Sequence, residues 1–160
     1  MSHYIANLRD IEFCLFDLLK RDEILGKSIF KDIDRETSMG MLEEIKRLAE
    51  NDLGDSFIES DRLGVQFNKE TGDIKLPESF KKSYRTFMDN EWWRIDAPVE
   101  IGGTLIPASV RWAIAEMVLG SNPSIHIYAS GTAFAHVAYV LGTESQKKMA
   151  KLMVDNDWGA

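Results

Sequence analysis

The sequence predicts an all-α fold: a helical bundle of about six helices, with a short hairpin or loop insert near residues 65–76. Three observations predict it. Apolar residues recur at three- and four-residue spacing in most segments. Residues that cap helices stand at the ends of these segments, and residues 61–76 break the helical pattern. The chain has 160 residues, 44% of them hydrophobic and 28% charged, which suits one domain with a buried core.

The first two helices are predicted from apolar stripes, and the first stripe follows a good N-terminal cap. Asn7 precedes the first helix, which is expected to end near Gly26. The second helix is expected to begin around Asp34, with Gly54 as an interruption. The stripes consist of Leu8, Ile11, Leu15, Leu18 and Leu19 in the first helix and of Met41, Leu42, Ile45, Leu48 and Ala49 in the second.

The middle of the chain alternates between turn formers and helical segments. Residues 68–73 are dense in turn formers and lie between short apolar pairs, as in a hairpin or an ordered loop. Pro77 and Pro107 are each expected at the first position of a helix. Trp92 and Trp93 follow the helix that Pro77 opens, and we interpret them as core or inter-domain packing.

The last two helices are predicted from composition and capping. Residues 124–141 are nearly all apolar or small, which is typical of a central helix that is buried all round. Gly142 is predicted to cap that helix at its C-terminus. Thr143 and Gln146 have the spacing of a capping box, so a final helix is expected from there to about Met153.

Charge and cysteine content exclude several classes of function. Nineteen basic and 26 acidic residues give a net charge of −7, which disfavours nucleic-acid and anionic-membrane binding. No stretch reaches the roughly 18 apolar residues that a membrane helix needs, and no secretory signal is evident. Cys14 is the single cysteine, so the sequence predicts no intrachain disulfide, no zinc site and a cytoplasmic location.

Residues 141–148 read LGTESQKK, and Trp158-Gly159-Ala160 follows ten residues later. This arrangement resembles acyl-CoA dehydrogenases, in which an LGTEEQK turn ends the central helix of the N-terminal domain. Upstream matches occur in the same order. Residues 100–103 resemble a Gly-Gly loop of the family, and Pro107 resembles the proline that follows this loop. Ala115-Glu116 resembles an acidic position on the next helix, and residues 120–123 lie where the family has a break before the central helix.

The resemblance implies a domain organisation. Residues 1–34 resemble the N-terminal extension helix of the larger bacterial branch, which includes long-chain and methylmercaptopropionyl-CoA dehydrogenases. Residues 35–160 correspond to the N-terminal helical domain, and we expect the chain to stop before the flavin-binding β-domain. The family commonly reads GGxGxP. Here the third glycine is replaced, so Leu105 must avoid a positive φ.

The resemblance also implies the chemistry of a parent enzyme. That enzyme would use FAD to dehydrogenate acyl-CoA thioesters between the α and β carbons, as in fatty-acid β-oxidation. Its partners would be the acyl-CoA substrate and an electron-accepting flavoprotein, and it would form a homo-oligomer. The catalytic glutamate and the flavin contacts would lie beyond residue 160. We therefore assign no catalytic, cofactor-binding or metal-binding residue to this chain, and we expect the 160-residue fragment to be colourless and inactive.

Alignment with the family places Ile125, His126, Ala129 and Ala133 in one wall of the acyl pocket. Alternatively, the small residues allow close packing between helices, and His126 is a core histidine whose ring nitrogens are hydrogen-bonded within the domain. Glu116 is interpreted as a structural ion-pair partner, for example of Arg111, or as part of a solvated face. An alternative function from another class is a free-standing helical interaction module without catalysis.

Overall fold

A computed structural model describes residues 3–158, so Gly159 and Ala160 of the family-like motif lie outside the described residues. The eight α-helices in this range confirm the all-α prediction. They are α1 (Leu8–Glu12), α2 (Arg35–Leu48), α3 (Gly54–Leu63), α4 (Glu78–Asp89), α5 (Ala108–Ser121), α6 (Pro123–Tyr128), α7 (Gly131–Leu141) and α8 (Glu144–Asp155).

Two π-helical segments and four short 3₁₀ turns complete the helical part. The segment Phe13–Leu18 extends α1, and Ala49–Leu53 joins α2 to α3 without a break. The 3₁₀ turns are Arg21–Glu23, Ser28–Phe30, Trp92–Asp96 and Val99–Ile101. The core lies where α2, α4 and α5 surround the second π segment. Its most buried large side chains include Leu42, Ile45, Leu48, Leu53, Val110, Ile114 and Met117.

The predicted insert near residues 65–76 is confirmed as a β-hairpin. Strands β1 (Gln66–Phe67) and β2 (Ile74–Lys75) are antiparallel, and Phe67 pairs with Ile74. The Asn68 side chain shapes the turn, because its Oδ1 accepts a hydrogen bond from the Glu70 N–H at 2.9 Å. Asn68 thus caps the turn as expected of an Asx residue.

The predicted N-terminal caps at Asn7 and Thr143 are confirmed, and the helix expected to begin around Asp34 is capped by the Asp34 side chain. The Thr37 N–H donates to Asp34 Oδ1 at 2.8 Å, and hydrogen bonding to Thr37 lowers the pKa of the Asp34 carboxyl. Thr143 and Gln146 form the complete capping box. Pro77 and Pro107 are the N-cap residues of α4 and α5, whereas each was predicted at the first position inside its helix.

Two predictions about helix extent are wrong. The first helical rod ends at Leu18, not near Gly26, because Lys20 adopts a left-handed conformation (φ 51°) and irregular turns follow. Residues 124–141 form two helices separated at Ala129 and Ser130. The Ser130 hydroxyl donates to the Ile127 carbonyl at 2.6 Å, a local bond of the kind that competes with a continuing helix.

The interpretation of the tryptophan pair as packing is confirmed for Trp93. Trp93 is 2% exposed, and its indole N–H donates to the Met88 carbonyl at 3.2 Å. Trp92 is partly buried against the same core. The following Gly102–Gly103 loop is a turn, in which Gly102 has φ 95° and Leu105 lies outside the positive-φ region, as predicted.

Candidate functional site

The four predicted wall residues lie around the junction of α6 and α7. Ile125 and His126 are in α6, Ala129 is its C-cap and Ala133 is in the first turn of α7. Their burial divides them into two pairs. Ile125 and Ala129 are 0% and 7% exposed and belong to the core, whereas His126 and Ala133 are only partly buried. Within the described chain, therefore, His126 and Ala133 are the members of the set that reach the surface.

The break between α5 and α6 sets the direction of α6. Asn122 is extended (φ −154°, ψ 91°), and Pro123 then begins α6. The Asn122 side chain is 1% exposed. Its Nδ2 donates to the Leu53 carbonyl at 3.2 Å and to Ser56 Oγ at 3.1 Å. This buried amide thus ties the start of α6 to the far side of the core.

The π segment Ala49–Leu53 is the anchor for three other helices. A π-helix bonds each N–H five residues back instead of four, which disturbs the normal pairing of nearby carbonyls. Ser121 Oγ donates to the Ala49 carbonyl at 2.6 Å, and Ser83 Oγ of α4 donates to the Asp52 carbonyl at 2.5 Å. Together with Asn122, these side chains fix α4, α5 and α6 to one short stretch of backbone.

The sequence interpretation missed this anchor. It placed an interruption at Gly54, but the irregular segment precedes Gly54, and the helix continues through it. The available signal was a set of polar residues on otherwise apolar surfaces: Ser83, Ser121 and Asn122. Each is at most 3% exposed, and buried polar side chains of this kind are hydrogen-bonded as a rule.

Replacing Asn122 by alanine is expected to lower the free energy of unfolding by about 2 kcal/mol, because a buried carbonyl loses its donor. Urea unfolding followed by circular dichroism measures this change. Asn156→Ala is the matched control, since Asn156 Nδ2 donates to the Leu152 carbonyl at 2.8 Å on the exposed surface. That variant should lose less than about 0.5 kcal/mol. Equal losses in the two variants would contradict the anchoring role of Asn122.

One predicted ion pair is wrong. Arg111 Nη1 donates to Asp96 Oδ1 at 2.8 Å, so Arg111 does not pair with Glu116. Asp96 lies in the 3₁₀ turn that follows α4, and tertiary packing brings it to Arg111. Glu116 is exposed, in agreement with the alternative interpretation as part of a solvated face.

The surface beside the junction is apolar. We define the α7 face as Phe134, Val137, Val140 and Leu141, which are 57–80% exposed. No residue of Gly131–Leu141 is charged. The prediction that this region is buried all round is therefore wrong for the described chain, because α8 and the core cover α7 on one side only. The exposed side adjoins Ala133.

A cavity of about 200 Å³ lies behind α6, between α3 and α4. Its lining includes Phe80 and Tyr128, whose rings meet edge to face with centroids 5.2 Å apart. None of the four predicted wall residues lines this cavity. Tyr84 stacks on Phe80, and burial raises the pKa of its hydroxyl, which therefore stays protonated and neutral.

The described residues contain no grouping of three or more His, Cys, Asp or Glu side chains that could hold a metal ion. Among residues 3–158, no helix has the combined length and apolar character required to cross a membrane. His136 is exposed, and its Nδ1 lies 3.1 Å from the Asp96 carbonyl.

Comparison with known proteins gives the family context. No protein-family model matches the chain. It is 43% identical over all 160 residues to the broad-specificity linear acyl-CoA dehydrogenase FadE5 of Mycobacterium tuberculosis, of which it covers 26%. It is 28% identical over 145 residues, 90% of its length, to 3-methylmercaptopropionyl-CoA dehydrogenase of Ruegeria pomeroyi, of which it covers 24%.

The chain thus spans about a quarter of the length of the curated relatives it matches. The resemblance read from the Gly-Gly loop and the LGTESQKK turn is confirmed by these matches. The chain is a homologue of acyl-CoA dehydrogenases and matches the N-terminal portion of these enzymes.

Proposed function

We propose that the chain is the N-terminal helical domain of an FAD-dependent acyl-CoA dehydrogenase and supplies one wall of its acyl pocket. The observation that carries the proposal is the 43% identity to FadE5 over the whole chain. The parent enzyme would remove hydrogen from the α and β carbons of acyl-CoA thioesters. Its electron acceptor would be a flavoprotein, and it would act as a cytoplasmic homo-oligomer.

The geometry around the α6–α7 junction supports a wall that the rest of a larger protein completes. Ala133 and His126 reach the surface, and the apolar α7 face lies beside Ala133. An acyl chain seated on such a surface gains about 0.8 kcal/mol for each methylene that it buries. Ile125 and Ala129 would support this wall from the core, where both are buried.

The α7 face does not fit the pyrophosphate group of a flavin cofactor. The α7 face carries no charged side chain, whereas a pyrophosphate group needs cations or backbone N–H groups directed at it. The flavin, which accepts a hydride when bound, would therefore be held by other parts of the parent enzyme. In the family the α-proton goes to a glutamate, which we place there too. The contribution of this chain is to bind and orient the acyl group and to exclude water from it.

The test uses the parent enzyme and the substitution Ala133→Leu, which should shorten the pocket. For long-chain acyl-CoA we expect kcat/KM to fall by about tenfold or more, because even one methylene of misfit changes the transition-state free energy by about 1–3 kcal/mol. Short-chain substrates should be affected little. A panel of acyl-CoA thioesters of increasing length measures the difference.

Ala108→Leu is the matched control, because Ala108 is exposed at the start of α5 and belongs neither to the four predicted wall residues nor to the α7 face. It should leave the chain-length profile unchanged. A uniform loss across all lengths in Ala133→Leu would contradict the pocket wall. A separate check is the absorbance of the purified 160-residue chain. Stoichiometric flavin absorbance would contradict our placement of the cofactor outside this domain.

A further inference from the structure

We propose that a groove between α1 and α5 is a docking site for a basic amphipathic helix of a partner protein. This α1–α5 groove has a volume of about 400 Å³ and is lined by Ile11 and Leu15 on one wall and by Trp112 and Ala113 on the other. It involves neither the α6–α7 junction nor the α7 face, so the inference does not depend on the proposed function.

The groove is apolar in its buried part and at its edges. On the two walls, Ile11, Leu15 and Ala113 are only 3–8% exposed and form its buried part. At the edges, Trp112 is 59% exposed and Leu19 is 45% exposed. Single exposed apolar side chains are ordinary, but these two line the same cavity. A large exposed tryptophan beside a recess is the type of residue that dominates binding energy at protein interfaces.

The charges around the groove point to a basic occupant. Two of the residues that line it are charged, Asp10 and Glu116, and both are acidic. Neither forms a salt bridge within the part of the chain that the structure describes. Arg111 lies 5.3 Å from the Trp112 ring, but Asp96 offsets its charge. Lysine or arginine flanking the apolar stripe of a partner would complement these carboxylates.

The shape of the groove favours a helix. Its two walls are helices, and an amphipathic helix can place residues at i, i+3, i+4 and i+7 into such a groove. An amphipathic helix is therefore the occupant that this groove favours.

The test measures binding of a fluorescein-labelled leucine/lysine amphipathic peptide of about 18 residues to the 160-residue chain by fluorescence anisotropy. A leucine/glutamate peptide with the same apolar pattern is the matched probe. We expect saturable binding of the lysine peptide that weakens as salt rises from about 0.05 to 0.5 M, and little binding of the glutamate peptide. No binding of either peptide, or equal binding of both, would overturn the proposal.

Variants locate the site. Trp112→Ala should weaken binding about tenfold or more, and Glu116→Gln should weaken the lysine peptide with less salt dependence. Both side chains are exposed, so the thermal midpoint should change little. Phe134→Ala is the control, since Phe134 is 61% exposed on the α7 face, and it should leave the affinity unchanged. Equal affinity losses in Trp112→Ala and Phe134→Ala would place binding elsewhere.

A second copy of the chain is the competing occupant. Sedimentation velocity of the unlabelled chain and its Trp112→Ala variant separates the two cases. We expect Trp112→Ala to leave self-association unchanged. A dimer that Trp112→Ala abolishes would show that the groove is filled by another copy, and the proposal of a basic partner would be wrong.

Discussion

Replacing Gly103 by alanine is expected to unfold the chain, or to lower its free energy of unfolding by more than about 4 kcal/mol. A Cβ atom at Gly103 would overlap the backbone carbonyl of Ala97, and backbone atoms cannot move aside by changing rotamer. The loop cannot slide away either. The Gly103 N–H donates to the Pro98 carbonyl at 2.9 Å, and the Thr104 N–H donates to the Arg94 carbonyl at 2.9 Å.

Gly40→Ala is the matched control for this prediction. Gly40 lies inside α2, and apart from its chain neighbours and the nearby backbone of that helix, no atom lies within 4 Å of the position that its Cβ would occupy. Alanine there should raise the free energy of unfolding by about 0.5–1 kcal/mol, because glycine is a poor helix former. Urea unfolding curves of both variants should show a decrease in the free energy of unfolding for Gly103→Ala and an increase for Gly40→Ala. A Gly103→Ala protein as stable as the wild type would contradict the close approach to Ala97.

The second large effect is expected on self-association of the 160-residue chain. Its α7 face exposes four apolar side chains next to one another, and contiguous patches of this kind drive association in water. We expect the chain to form oligomers at high concentration and the double variant Phe134→Lys/Val137→Lys to be monomeric. Size-exclusion chromatography with light scattering over a concentration series measures the change.

The control replaces an exposed apolar residue outside the patch. Ile74 is 66% exposed on the hairpin, so Ile74→Lys adds the same charge as one of the two substitutions at a comparably exposed site. It should leave the oligomers intact. A wild-type chain that stays strictly monomeric at high concentration would contradict the prediction. It would show that the exposed α7 face does not drive self-association.

Local features were predictable because their causes are local. The caps at Asn7 and Thr143 depend on side chains that bond to backbone groups within one turn. The hairpin depends on turn formers between two short apolar pairs. The extent of two helices was not predictable in the same way: the first helix, expected to end near Gly26, and the helix expected over residues 124–141. Periodicity alone does not show that Lys20 turns left-handed or that Ser130 bonds to the Ile127 carbonyl.

Features that depend on distant parts of the chain escaped prediction. Arg111 pairs with Asp96 because the turn after α4 approaches α5, and spacing along a helix could not show this. The sequence pattern did not separate Ile125, which is buried, from His126, which is only partly buried, because the neighbours of α6 come from other helices. Their assignment to a pocket wall depends on family resemblance and stays a proposal.

The π segment Ala49–Leu53 also determines the rotational phase of α3. It accommodates one more residue per turn than an α-helix does, and one residue corresponds to about 100° of rotation. Without this extra residue, Gly54 and Ser56 would turn away from the core in which both are buried. A regular α-helix here would therefore weaken the packing of α3 against the core. The number of residues between Leu48 and Gly54 is thus as constrained as their chemical identity.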